Sequence, residues 1–157
     1  MPVTLTEVQR IPTSGAGAAE PVPVAGFDLL AEDAEFFTIG DRSFLAVASI
    51  RAGAGPYDFH TTSWVFEWRG GRFLPFQDLP TFAAKRWKHW KATGRHFRGL
   101  AQRVSAPGVE GNQESVVCEW TGESFAEFQR ISSRWALTPD LRFAAHTVRY
   151  ELRAGAR

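Results

Sequence analysis

Ser63-Trp64-Val65-Phe66-Glu67-Trp68-Arg69-Gly70-Gly71-Arg72-Phe73-Leu74-Pro75-Phe76-Gln77 returns as Ser115-Val116-Val117-Cys118-Glu119-Trp120-Thr121-Gly122-Glu123-Ser124-Phe125-Ala126-Glu127-Phe128-Gln129, at a constant offset of 52 residues. A recurrence of this length marks one supersecondary unit copied along the chain. Such units cannot bury their apolar faces alone and stack on their neighbours. Within each copy the side chains alternate: Trp64, Phe66 and Trp68 fall on one face of an extended strand and Val65 and Glu67 on the other, with Val116, Cys118 and Trp120 repeating the first set. Gly70-Gly71 and Gly122-Glu123 then read as tight turns into Phe73 to Gln77 and Phe125 to Gln129.

Working outward, Phe36 to Ile39 turns through Gly40-Asp41 into Ser43 to Ala48, and Trp90 to Thr93 turns through Gly94-Arg95 into His96 to Ala101, at an offset of 53. Two hairpins per copy make a four-strand antiparallel unit. Small residues on its second strand (Ala46, Ala48, Gly99, Ala101) suit an inner position where sheets converge, as in a propeller blade. The expected organisation is all-β: an isolated fourth strand at 5–11, a Gly/Ala/Pro-rich loop insertion at 14–35, blades at 36–79 and 90–131, and a degenerate partial blade at 135–152. The chain thus reads as about three blades within one segment, 1–157.

Composition bounds the function classes. Eighteen basic and seventeen acidic residues leave a net charge of +1, too little to attract a polyanion by bulk electrostatics. The single Cys118 excludes an intramolecular disulfide. No apolar run reaches the length of a membrane span, and the N-terminus lacks the charged and apolar regions of a secretory signal, which for a complete product favours the cytoplasm.

These motifs resemble the EAR repeat, also called the epitempin or EPTP repeat. Ile39-Gly40-Asp41-Arg42-Ser43-Phe44-Leu45-Ala46-Val47-Ala48 follows its consensus closely, and Gln9-Arg10-Ile11-Pro12-Thr13-Ser14-Gly15-Ala16 is similar to the family's end-of-repeat motif. The resemblance implies a seven-bladed β-propeller used for binding, best known in secreted neuronal ligands that engage cell-surface receptors. This chain departs from the pattern in having about three blades and in carrying Leu152 where the third copy should have Trp.

The expected function is therefore a non-enzymatic module that binds a protein partner through loops on one face. The connections 53–60 and 106–114 occupy equivalent points of successive blades, which nominates Tyr57, Asp58, His60, Glu110, Asn112 and Glu114 as binding residues. No cofactor and no metal site is expected, because His60, His89, His96 and His146 show no ligand spacing. Two alternatives stand beside this reading. The segment 85–98, with basic residues interleaved with Trp87 and Trp90, could hold a polyanion or nucleic acid. A hydrolase-like site in the propeller channel would require Asp41, Asp58 or Glu114 to converge. The unpaired end strands predict either a piece of a larger propeller or a homo-oligomer in which two copies exchange the first strand.

Overall fold

The computed structural model describes residues 6–11, 29–52, 56–102 and 112–134. They form eight strands: β1 (Leu29–Ile39), β2 (Arg42–Ala52), β3 (His60–Arg69), β4 (Arg72–Phe82), β5 (Ala84–Ala92), β6 (Arg95–Gln102), β7 (Asn112–Trp120) and β8 (Phe125–Arg134). Two four-stranded antiparallel sheets result, ordered β1-β2-β3-β4 and β5-β6-β7-β8, as in two consecutive propeller blades. The partial blade expected at 135–152 lies outside the described residues.

Turn chemistry sets the hairpins. Gly70 and Gly71 both adopt positive φ, 57° and 82°, the conformation that matches a two-residue turn to the twist of β3 and β4. The repeated β3–β4 and β7–β8 pairs even share an irregularity. Register shifts at Val65/Phe66 and at Val117/Cys118 leave Phe76 and Phe128 as the extra residue of each outer strand.

The core lies between the sheets. Phe37, Phe44, Ala46, Ala48 and Val65 of the first sheet pack on Ala84, Trp87, Leu100, Cys118 and Phe125 of the second. A second cluster, Trp90, Phe97 and Val117, occupies the opposite side of the second sheet. Each sheet therefore has a front face, carrying Phe44 or Phe97, and a back face, carrying Phe66 or Cys118.

Several expectations change. Residues Leu29 to Glu35, expected within the loop 14–35, belong to β1; their acidic side chains are drawn into the sheet by Lys85, Arg86 and Lys88 opposite. The stretch between the expected blades, 80–89, is the end of β4 and the start of β5, and the connection is Ala83 alone, buried at φ 47° with its N–H donated to the Phe59 carbonyl. Convergence occurs where β1 and β2 meet β5, so β1 shares the inner position expected of β2. Trp64, Phe66 and Trp68 do share a face, but it is the back of the first sheet. Phe66 is buried there while Trp68 is 39 % exposed, because no further described sheet covers it.

Candidate functional site

The β2–β3 and β6–β7 connections leave from the same end of the two sheets. At that end, Ala52 and Asp58 exchange backbone hydrogen bonds of 2.8 and 3.1 Å, and the Asp58 carboxylate accepts the His60 N–H at 2.8 Å. Tyr57 is exposed, with the Arg51 guanidinium over its ring at 3.8 Å. The His60 ring meets Phe82 edge-on at 4.8 Å, so this connection is pinned to the end of β4.

Gln102 joins the two sheets at the same place. Its carbonyl oxygen accepts the Phe82 N–H at 2.6 Å, and its amide donates to the Glu114 carbonyl at 2.6 Å. A cavity of about 490 Å³ opens here, lined among others by His60, Trp87, Gln102, Glu114, Cys118 and Arg130, within the size range of small-ligand clefts. Of the residues nominated from sequence, His60 and Glu114 line it. Glu114 is exposed and lies 3.8 Å from Arg130. Tyr57 and Asp58 are exposed on the connection that leads into His60. Asn112 opens β7, opposite Arg134 in register. Glu110 lies outside the described residues.

Two wall residues of nucleophilic type, Cys118 and Thr81, are held in structural contacts. Burial pushes the Cys118 thiol up to about 11, against the opposing pull of the nearby Arg98 charge, so it stays a protonated core residue. Thr81, also on the wall, shares a buried hydroxyl network with Ser63 at 2.9 Å and Thr61 at 3.2 Å, and Thr61 donates to the Ser49 carbonyl at 2.8 Å. These hydroxyls bond one another and backbone groups, as structural hydroxyls do. Asp41 sits in the β1–β2 turn, a full strand length from Asp58, so the three carboxylates that a channel hydrolase would need are not assembled.

Most basic residues of the segment 85–98 are paired or buried, while Lys91 is exposed. Lys85 pairs with Glu32 at 2.9 Å, Arg86 with Asp33 at 3.8 Å, and Lys88 with Glu35 at 3.3 Å. Trp87 and Trp90 are buried and offer no faces for bases. Arg98 is fully buried without a hydrogen-bond partner, its guanidinium 4.0 Å from the centre of the Trp87 ring and about 5 Å from those of Phe37 and Phe125. Desolvation pushes it down to about 9. His89 and His96, unrelated in the sequence reading, meet at 3.1 Å. Burial, then the charges of His96, Arg98 and Lys88, push His89 down to about 4, so it is neutral near pH 7.

Sequence reasoning missed the glutamines that fasten one sheet to the next. Gln77 accepts the Phe125 N–H at 2.9 Å and donates to its carbonyl at 2.8 Å. Gln9 makes the same pair with Phe73, at 2.7 and 2.9 Å. The signal was present, since Gln9, Gln77 and Gln129 are copies of one repeat position. Its meaning was hidden because each clamp reaches a different sheet.

No protein-family model matches the chain. Over 86 residues, 54 % of the chain, it is 33 % identical to the human thrombospondin-type laminin G domain and EAR repeat-containing protein, and over 90 residues, 56 % of the chain, it is 31 % identical to the mouse protein of the same name. The matched stretches span 12 % and 13 % of those relatives. Both carry the EAR repeat in their names, in agreement with the resemblance read from the motifs.

Proposed function

We propose that this chain, similar over about half its length to EAR repeat-containing proteins, is a non-enzymatic recognition module that takes a segment of a protein partner at the end bearing the β2–β3 and β6–β7 connections. The observation that carries the reading is the cavity between the sheets at that end, where His60 of β3 and Glu114 of β7 line one wall-to-wall space. Its lining mixes apolar surface (Trp87, Leu100) with hydrogen-bonding groups (Gln102, Arg130). Such a lining suits a peptide with an apolar side chain flanked by polar ones. The exposed Tyr57 supplies an aromatic contact of the kind that dominates protein interfaces.

A random peptide library displayed on phage and selected on the purified chain tests this. Selected peptides should bind the unaltered protein saturably in fluorescence polarisation, and His60→Ala and Glu114→Lys should each weaken them at least about tenfold. Lys91→Ala, on an exposed residue outside the cavity lining, should leave binding unchanged. Failure to enrich any peptide, or equal affinity for all four proteins, would sink the reading.

A further inference from the structure

Hydrogen-bond donors without acceptors gather at the cavity between the sheets. Trp87, 2 % exposed, belongs to its lining, and the Trp87 indole Nε1–H has no hydrogen-bond partner among the described residues. Arg98, fully buried and likewise unpartnered, stands behind that wall. In the ladder it lies opposite Cys118 of β7, Leu100 follows two residues on along the same face of β6, and the Trp87 ring centre is 4.0 Å from its guanidinium. Cys118, Leu100 and Trp87 all line the cavity. An indole N–H and a guanidinium donate only, so neither can satisfy the other. Buried donors in native proteins are nearly always paired.

The repeat shows that this chemistry belongs to the second sheet alone. At the 53-residue offset Trp87 corresponds to Ala34 and Arg98 to Leu45, so the blade architecture is served by a small and an apolar residue at these positions. Burial pushes Arg98 down only to about 9, which leaves it charged near pH 7 at a cost in stability. A group that breaks a packing rule without a structural need fits a binding site.

The chain's own carboxylates leave the acceptor position open. Glu35, whose charge acts on Arg98, has one oxygen 3.3 Å from Lys88 and the other buried without a partner, and it makes no ion pair with Arg98 among the described residues. Glu127 holds Arg130 at 2.7 Å, and Glu114 lies 3.8 Å from the same guanidinium. These three line the cavity and are about half exposed, so two carboxylates share one cation at its rim while Arg98 supplies positive charge at the back.

We propose that the cavity seats a single carboxylate of its ligand against Trp87, where it accepts the indole N–H in the field of the Arg98 guanidinium. The proposal rests on the recognition reading in taking the same cavity as the site, and it names what that site selects. The ligand presents a C-terminal carboxylate or one acidic side chain inward, beside an apolar group that meets Leu100 and Val116. Neutral or basic groups follow at the rim, where the carboxylates of Glu114 and Glu127 disfavour a run of acids.

Heteronuclear NMR of the whole chain tests this through the assigned Trp87 indole N–H resonance. The probes are N-acetyl-leucine for a C-terminal carboxylate, N-acetylglutamic acid α-amide for an acidic side chain, and N-acetyl-leucinamide as the neutral control. One acid should move the resonance saturably and bind at least about tenfold more tightly than the control; the tighter acid identifies the source. Arg98→Met, with its fold checked by the urea midpoint, should weaken that acid at least about tenfold. Absence of a saturable shift, equal response to acid and control, or undiminished binding to Arg98→Met overturns the proposal, and loss on Arg130→Gln in the last case locates the acid at the rim. Selected peptides that depend on His60 but ignore both amidation of their acids and Arg98→Met would leave the recognition reading standing and remove the carboxylate site. Saturable binding of an acid where no peptide is enriched would do the reverse.

Discussion

Arg98 is the residue whose chemistry departs furthest from what its type suggests. It occupies the position of Leu45 in the first sheet, yet it is fully buried and its three guanidinium nitrogens lack hydrogen-bond partners. Cation–π attraction to desolvated rings stabilises by about 2 kcal/mol, while the effective cost of burying an unpaired charge is several kcal/mol. The penalty wins. Arg98→Met, which keeps the unbranched stem, is expected to stabilise the fold by about 1–3 kcal/mol, read as a rise in the urea midpoint at pH 7. The sign with pH follows from the depressed value. Below about 9 the folded state carries the full penalty, and as pH rises past 9 the folded state releases the proton that the unfolded state still holds. The gap between Arg98→Met and the unaltered protein should therefore narrow between pH 8 and pH 10.5. A gap that is constant or widens would mean that the guanidinium is better solvated than its burial implies.

At the scale of elements, the repeated strand pairs show how one sequence pattern serves two environments. Trp68, next to last in β3, and Trp120, last in β7, occupy equivalent positions. Trp120 packs against the inter-sheet core with Arg42 over its ring, whereas Trp68 stands on the outward face. Trp120→Ala should therefore cost about 3–5 kcal/mol, the range for large aromatics lost from a core. Trp68→Ala, measured below the concentration of any self-association, should cost under about 1 kcal/mol. Equal losses in thermal melts would contradict the assignment of front and back faces. The glutamine clamps belong to this scale too, because each holds the start of an outer strand: Gln77 of β4 holds Phe125 of β8, and Gln9 holds Phe73 of β4.

At the scale of the whole molecule, two charge concentrations among the described residues meet their opposites. The acidic start of β1 lies against the basic β5, and the two arginine–glutamate pairs, Arg42–Glu67 and Arg95–Glu119, recur at one position of each sheet. A polyanion would have to displace these pairs to reach the 85–98 segment. The expected outcome is that single-stranded DNA binds no more tightly than non-specific levels at physiological salt, and that Lys85→Ala does not change the salt slope. Submicromolar affinity with a steep salt slope in a filter or anisotropy titration would restore the polyanion reading.

The four-strand units, their turns and the burial of Cys118 were legible in the sequence because each depends on neighbours along the chain: alternation with period two, glycines at Gly70 and Gly71 that accept positive φ, and a 52-residue recurrence. The nomination of His60 and Glu114 followed from the same recurrence, since equivalent loops of successive units emerge at the same end. What the sequence could not determine was which face each unit would bury. Trp64, Phe66 and Trp68 form one face in the sequence whether or not a sheet lies against it, and only packing leaves Trp68 outside while Trp120 is covered. The acidic pairing of 85–98, the burial of Arg98 and the glutamine clamps are likewise contacts between residues far apart in the chain, whose energies depend on distance and desolvation in three dimensions.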